Sequence, residues 1–294
     1  MREKQPMTVE HLSKLPSVPN DPRVAAVLDK MAATGISLQE YCKGQIYSGI
    51  TTGLNVAFVL DQRTRDLLVA QDPHSAEILK PFVQARDIKP WRVEWRGLWL
   101  IYAYRGIDMG RYPAVLDYLR TFKSRLERRR RRFAWCELTR PRENVRAAME
   151  GSKLIYPGIA NAPKFALDDR GRYYVGHTAY FALGSDRYLQ GVLESRALWF
   201  YLTNVATTRR QGYYRLYTRD MGSLPVPIAA EAERAAIASL AERLAEEHCP
   251  DRLTLEAELN ERVAFIYGLT AQEELHIVEG LPMSPLTAES EDVS

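Results

Sequence analysis

The stretch Gly49–Leu60, GITTGLNVAFVL, brackets two threonines with two glycines, adds an asparagine, and runs into apolar, β-prone residues. A nucleotide-binding α/β chain would put a lysine in such a loop and open a helix after it. No lysine follows here. NVAFVLD has the composition of a strand, QRTRD of a turn and LLVA of a second strand, so the stretch predicts a loop feeding a β-hairpin. The loop itself has two readings. Its small residues let backbone N–H groups approach an anionic oxygen, with Thr51, Thr52 and Asn55 as side-chain donors. Alternatively, Gly49 and Gly53 only supply positive φ in a turn.

On the N-terminal side, DPRVAAVLDKMAATG (21–35) predicts an amphipathic helix capped by Asp21 and ended by Gly35, with Val24, Val27, Leu28 and Met31 on one face. SAEILKPFV predicts a helical turn stopped by Pro81, and WRGLWLIYAYR (95–105) a buried strand. YPAVLDYLRTFKSRLERRRRR (112–132) has Pro113 in its first turn and Val115, Leu116, Leu119, Phe122 and Leu126 at helical spacing. Short strands are expected at KLIYPGIA, FALDD and YYVGHTAYFAL, then one long helix over 186–206. Beyond residue 228 two acidic helices follow, with stripes Ile237/Leu240/Leu244 and Leu255/Leu259/Val263/Ile266. The fold class is therefore α+β: a mixed β-sheet domain with packed helices and a C-terminal helical appendage. The division reads as a connector (1–37), a central domain (38–228) and an acidic appendage (229–294).

The 294 residues are 46% hydrophobic and 26% charged, with mean hydropathy −0.31, the profile of a soluble globular chain. No apolar run reaches the ~18 residues of a membrane span, and the first residues lack a signal-peptide core, so a cytoplasmic location is expected and no membrane partner. Cys42, Cys136 and Cys249 are too scattered for a disulfide framework or a metal set. Charge is divided unevenly. Residues 229–294 carry 15 acids against four arginines, a net −11, which leaves +14 on residues 1–228. A basic body points to a polyanionic partner.

No G-x-G-x-x-G, Walker lysine loop, nucleophile elbow, H-E-x-x-H or C-x-x-C occurs. The Asn/Asp-Pro-Pro-aromatic tetrapeptide expected of enzymes acting on base amines is also absent, and the chain on its own is read as non-catalytic. The loudest charge signal is Arg128, Arg129, Arg130, Arg131 and Arg132, within a span (105–146) holding twelve arginines and one lysine against five acids. Five consecutive arginines complement a helix C-terminus or grip phosphates. WRVEWRGLWLIY and RQGYYRLYT interleave rings with arginines. That mixture suits nucleic acid but equally a core or a protein interface.

The order of these pieces resembles one family. YCKGQIYSGITTGLNVAFVLD, SAEILKPFVQARDIKPW, WLIY, YPAVLDYLRTFKSRLERR, FAWCELTRPR, KLIYPGIA, FALDDRGRYYVGHTAY, YLQGVLESRALWFYL and GYYRLYTRDMGSLPVPI follow in the sequence of the target-recognition (TaqI-like C-terminal specificity) domain of type IIG restriction-modification enzymes and adenine-N6 DNA methyltransferases. The resemblance covers about residues 38–280; AWCEL and the heavy arginine run depart from the pattern. It implies double-stranded DNA as partner, an adenine-N6 methyltransferase domain or subunit beside it, and S-adenosylmethionine on that methyltransferase rather than on this chain. Candidate DNA-contacting residues are Thr51, Thr52, Asn55, Lys80, Arg86, Asp87, Lys89, Arg128–Arg132, Lys153, Tyr213, Tyr214 and Arg215, with loops 140–146 and 170–172 as further places for base reading. For Arg86 and Asp87 the alternative is a buried mutual pair, and for Lys153 a core strand. The competing function is a protein-interaction or scaffold subunit without base reading.

Overall fold

The computed structural model describes residues 21–129, 133–206 and 212–281. In chain order the elements are α1 (Pro22–Thr34), β1 (Gly35–Ser37), α2 (Leu38–Tyr41), β2 (Ile46–Ser48), α3 (Asn55–Phe58), β3 (Val59–Leu60), α4 (Gln62–Gln71), β4 (Leu79–Val83), β5 (Trp99–Ile101), α5 (Pro113–Arg120), α6 (Lys123–Glu127), α7 (Arg146–Met149), β6 (Lys153–Pro157), β7 (Ile159–Ala160), β8 (Ala166–Asp168), β9 (Tyr174–Val175), β10 (Ala179–Ala182), α8 (Arg187–Glu194), α9 (Arg196–Val205), β11 (Tyr214–Arg215), α10 (Thr218–Gly222), β12 (Pro225–Pro227), α11 (Glu231–Leu244), α12 (Arg252–Ile266) and α13 (Ala271–Gly280). The α+β class holds.

One antiparallel sheet, in the order β2-β10-β6-β8, organises the molecule. Side chains alternate across a strand, and here both faces are covered. Leu154, Tyr156, Ala182 and Leu167 point into a core shared with α1, α8, α9 and α11–α13. Ile155, Ala179, Phe181 and Ala166 point into a second core, built on the β3-β5-β4-β9 sheet and α5. This explains why KLIYP is buried throughout, with apolar residues in succession after Lys153 instead of alternating with polar ones.

The expected hairpin after Gly53 does not form. Asn55–Phe58 is a helical turn, only Val59–Leu60 is extended, and the predicted turn and second strand are α4. Asp61 starts α4, its Oδ1 accepting the Thr64 N–H at 2.7 Å. A cap plus one buried leucine, Leu68, outweighs the strand preference of LLVA. Pro81 likewise lies inside β4 rather than stopping a helix. The long helix over 112–132 is interrupted between α5 and α6, and that over 186–206 at Ser195, where ψ of 151° breaks the first helix and the hydroxyl caps the second. α1 forms as expected, with Asp21 accepting from the Arg23 N–H.

Among the described residues the acidic helices are three, and they share the first core with α8 and α9. Ile237, Leu240 and Leu244 of α11 are buried, and burying three such side chains contributes about 5–9 kcal/mol. Gly191 of α8 makes the approach possible, since a Cβ there would sit 2.7 Å from Ile237 Cγ2.

Candidate nucleic-acid interface

The loop Gly49–Asn55 is tied into its own fold, although Gly53 and Asn55 are exposed. Thr51 pairs with Arg140 through both backbone groups, and the Thr52 hydroxyl donates to Asn55 Oδ1 at 2.5 Å. Arg129 lies across it: Nη1 donates to the Thr52 carbonyl at 3.0 Å, Nε to the Leu126 carbonyl at 3.1 Å and Nη2 to the Trp135 carbonyl. The guanidinium sits 5.2 Å from the Phe58 ring and 5.1 Å from the Phe133 ring, and burial lowers its pKa, with Arg105 adding to the effect. Thr52 is buried, and Asn55 is exposed but occupied by Thr52. The phosphate-cradle reading fails for Thr52, and the phosphate-grip reading of the arginine run fails for Arg129, because each already has its partners within the fold. The positive-φ reading is half right. Gly53 has φ of +80°, whereas Gly49 is small because a Cβ there would overlap the Gly176 carbonyl.

Two more candidates prove internal. Lys153 is fully enclosed, its Nζ 2.7 Å from Asp168 Oδ2 and 2.6 Å from the Met149 carbonyl, so it has no atom to offer a duplex. Asp87 is buried and ion-paired with Arg96, not with Arg86, and its Oδ2 accepts the Gln84 N–H at 2.7 Å. Lys89 stands 4.0 Å from Glu94, and the Lys80 ammonium lies 5.8 Å from the Tyr174 ring. Arg128 is exposed at the end of α6. Arg130, Arg131 and Arg132 lie outside the described residues.

Arg86, Tyr213, Tyr214 and Arg215 are brought together with residues the sequence did not single out. The Ala85 N–H reaches Thr178 Oγ1 at 3.1 Å, the Gly158 N–H the Thr178 carbonyl at 2.9 Å, and the Leu216 N–H the Gly158 carbonyl at 3.0 Å. These bonds join the turn bearing exposed Arg86 to β11. From β10, Tyr180 stacks on Tyr217 at 5.7 Å and on Tyr156 at 5.8 Å, a ladder running from the core to the half-exposed Tyr217. The Arg215 guanidinium lies 5.9 Å from the Tyr217 ring. Arg142 donates through Nη2 to Ser48 Oγ on β2, and burial together with Arg140 lowers its pKa. Burial raises the carboxyl of Asp220 against the pull of Arg219 and Arg215.

The surface thus carries Arg86, Arg140, Arg142, Arg215 and Arg219, with His177 and Thr178 exposed beside them. Two guanidinium nitrogens here, Arg142 Nε and Arg215 Nε, are buried without a hydrogen-bond partner. Leaving such a donor unmet costs about 1–3 kcal/mol, a cost that the fold carries at these two arginines. Stacked rings with guanidinium groups at their rim suit bases and phosphates. Loop 140–146 gave a signal in the sequence. Tyr217 lies in the RQGYYRLYT signal, but its stacking on Tyr180 was not legible, because it joins residues 37 positions apart in the chain.

A family model, the TaqI-like C-terminal specificity domain, matches residues 80–226, half of the 294-residue chain. The chain belongs to this family. The TaqI-like match contains Arg86, Arg140, Arg142, Tyr180, Arg215 and Tyr217, and leaves out the Gly49–Asn55 loop. Among solved structures, the fold is similar to that of the type IIL restriction-modification enzyme MmeI, solved in complex with DNA, with TM-score 0.56 and 16% identity over 81% of this chain and 34% of that one. The type IIG restriction endonuclease BpuSI aligns with TM-score 0.48 and 9% identity over 84% of this chain and 33% of its own. This specificity-domain chain therefore spans about a third of the length of either enzyme. No curated protein matches it.

Proposed function

We propose that the chain is a DNA target-recognition module of a restriction-modification system. It holds double-stranded DNA for an adenine-N6 methyltransferase domain or subunit that binds S-adenosylmethionine, flips the target adenine and performs the transfer. The observation that carries this reading is the arginine–tyrosine surface around Tyr180, Tyr217, Arg142 and Arg215, lying wholly within the family-matched residues. Arginines at its rim would contact backbone phosphates, while tyrosine faces and the donors of loop 140–146 would meet base edges.

Fluorescence anisotropy with a labelled duplex tests it. Affinity should fall steeply with salt. Arg142→Ala/Arg215→Ala should weaken binding and reduce the log–log salt slope by about 1.8, that is about 0.9 for each phosphate no longer neutralised. Salt-independent binding, or a slope unchanged by the double substitution, would overturn the assignment. The scaffold reading has its own support, because α12 and α13 expose Leu253, Phe265, Leu275 and Val278. It requires DNA affinity to be unaffected by the same double substitution.

A further inference from the structure

A surface pocket of about 340 Å³, sharing no lining residue with the tyrosine ladder, lies between the end of β8, the start of α8 and the segment after Pro90. Its walls carry Arg92, Arg170, Arg172 and Arg187, with Asp169 as the lone acid. Among the described residues, Arg170 and Arg172 have no carboxylate partner, and Arg187 donates to the neutral Gln190 Oε1 at 2.7 Å. Only Arg92 is paired, with Glu94 at 2.7 Å. Unneutralised guanidinium groups converging on a concavity repel one another and concentrate positive potential there, a cost that an anion would offset.

Both walls are pinned by buried polar groups. Asp168 accepts the Arg172 N–H at 3.0 Å and the Tyr173 N–H at 2.9 Å while bonded to Lys153 at 2.7 Å. Gly171, with φ of +63°, closes the turn where a Cβ would overlap the Glu150 carbonyl. Opposite, Trp91 is buried at φ of +71°, a conformation rare for a bulky side chain. Its N–H donates to Glu194 Oε1 at 3.0 Å, and its carbonyl accepts from Gln190 Nε2 at 2.8 Å. The backbone that bears Arg170 and Arg172 is thus held in place, so binding has only the side chains to order.

We infer that this pocket is a phosphate-binding site, distinct from the arginine–tyrosine surface, in which Arg170, Arg172 and Arg187 hold the oxygens of one or more phosphoryl groups. Arginine forks match phosphate geometry bidentately, and the volume lies at the lower end of the range for small-ligand clefts, about 300–1,000 Å³. The phosphate has two possible sources, a free polyphosphate compound or a backbone phosphate of a bound duplex.

Calorimetric titration of the full chain with inorganic tripolyphosphate reads the site directly, and salt-dependent anisotropy with a duplex separates the sources. Arg170→Ala/Arg172→Ala, both on exposed side chains, should leave the melting temperature unchanged and weaken tripolyphosphate binding by about tenfold or more. Arg142→Ala/Arg215→Ala should leave tripolyphosphate binding unchanged, which separates failure of this site from failure of the DNA-recognition reading. A free-phosphate site leaves the duplex salt slope unchanged in the Arg170/Arg172 variant. A backbone-phosphate site lowers that slope by up to about 1.8. The inference is overturned if wild-type chain does not bind tripolyphosphate and the duplex slope is unaltered in the variant, or if both double variants weaken tripolyphosphate equally, which would mean diffuse attraction to a basic surface.

Discussion

Replacing Lys153 by methionine separates a structural lysine from a DNA-contacting one. The native ammonium is bonded to Asp168 Oδ2 at 2.7 Å and to the Met149 carbonyl at 2.6 Å, with no exposed surface. Methionine fills a similar volume but leaves the Asp168 carboxylate with only the Arg172 and Tyr173 amides. Breaking a buried pair by removing one partner costs about 3–5 kcal/mol. That is a large part of a net stability of about 5–15 kcal/mol. For a chain of this size, about 2–4 °C per kcal/mol places the fall in melting temperature at roughly 6–20 °C. Thermal and urea unfolding measure it, and anisotropy well below the melting temperature should find duplex affinity little changed. Burial lowers the pKa of Lys153, with Asp168 opposing it. The folded state therefore binds fewer protons than the unfolded chain between the two pKa values. Wild-type stability rises as pH climbs through that alkaline window, and the variant should lose this rise. A melting temperature within about 2 °C of wild type, combined with a tenfold loss of DNA affinity, would show instead that Lys153 reaches the duplex.

Two further substitutions probe the helical side. Gly191→Ala would gain about 0.5–1 kcal/mol on a free helix but should lose about 1–3 kcal/mol here, because the new methyl meets Ile237 at 2.7 Å; urea denaturation decides, and a gain would mean that α11 is not packed there in solution. Burial raises the Glu194 carboxyl to about 8, against the opposing Phe165 and Trp91 amides. The folded state then holds a proton that the unfolded chain releases, so stability should decline between about pH 4.5 and 8. Glu194→Gln, which keeps an acceptor for both amides, should flatten that decline, and a pH series of melting temperatures showing an unchanged slope would contradict it.

Read linearly, the chain already discloses its class, α1, the apolar stripes of α11 and α12, the strands around Lys153–Ala182, and a family order of motifs. These rest on local periodicity and capping, which need no knowledge of distant neighbours. Arg86, Tyr213, Tyr214 and Arg215 also stand out there, because arginines interleaved with aromatic residues carry a compositional signal. Which polar residues remain available is a matter of three-dimensional packing. Thr52, Asp87, Arg129 and Lys153 look like ligand-binding residues in sequence, yet their partners, Asn55, Arg96, Thr52 with Trp135, and Asp168, absorb them. The turn assigned to QRTRD became helix because Asp61 caps it and Leu68 finds a core. For GITTGLN, the choice between cradle and turn fell to residues some 75–125 positions downstream, Arg129, Arg140 and Gly176. Hydrogen-bond satisfaction is a property of who surrounds a group in space. A single sequence records which donors exist, and only the fold shows which are already taken.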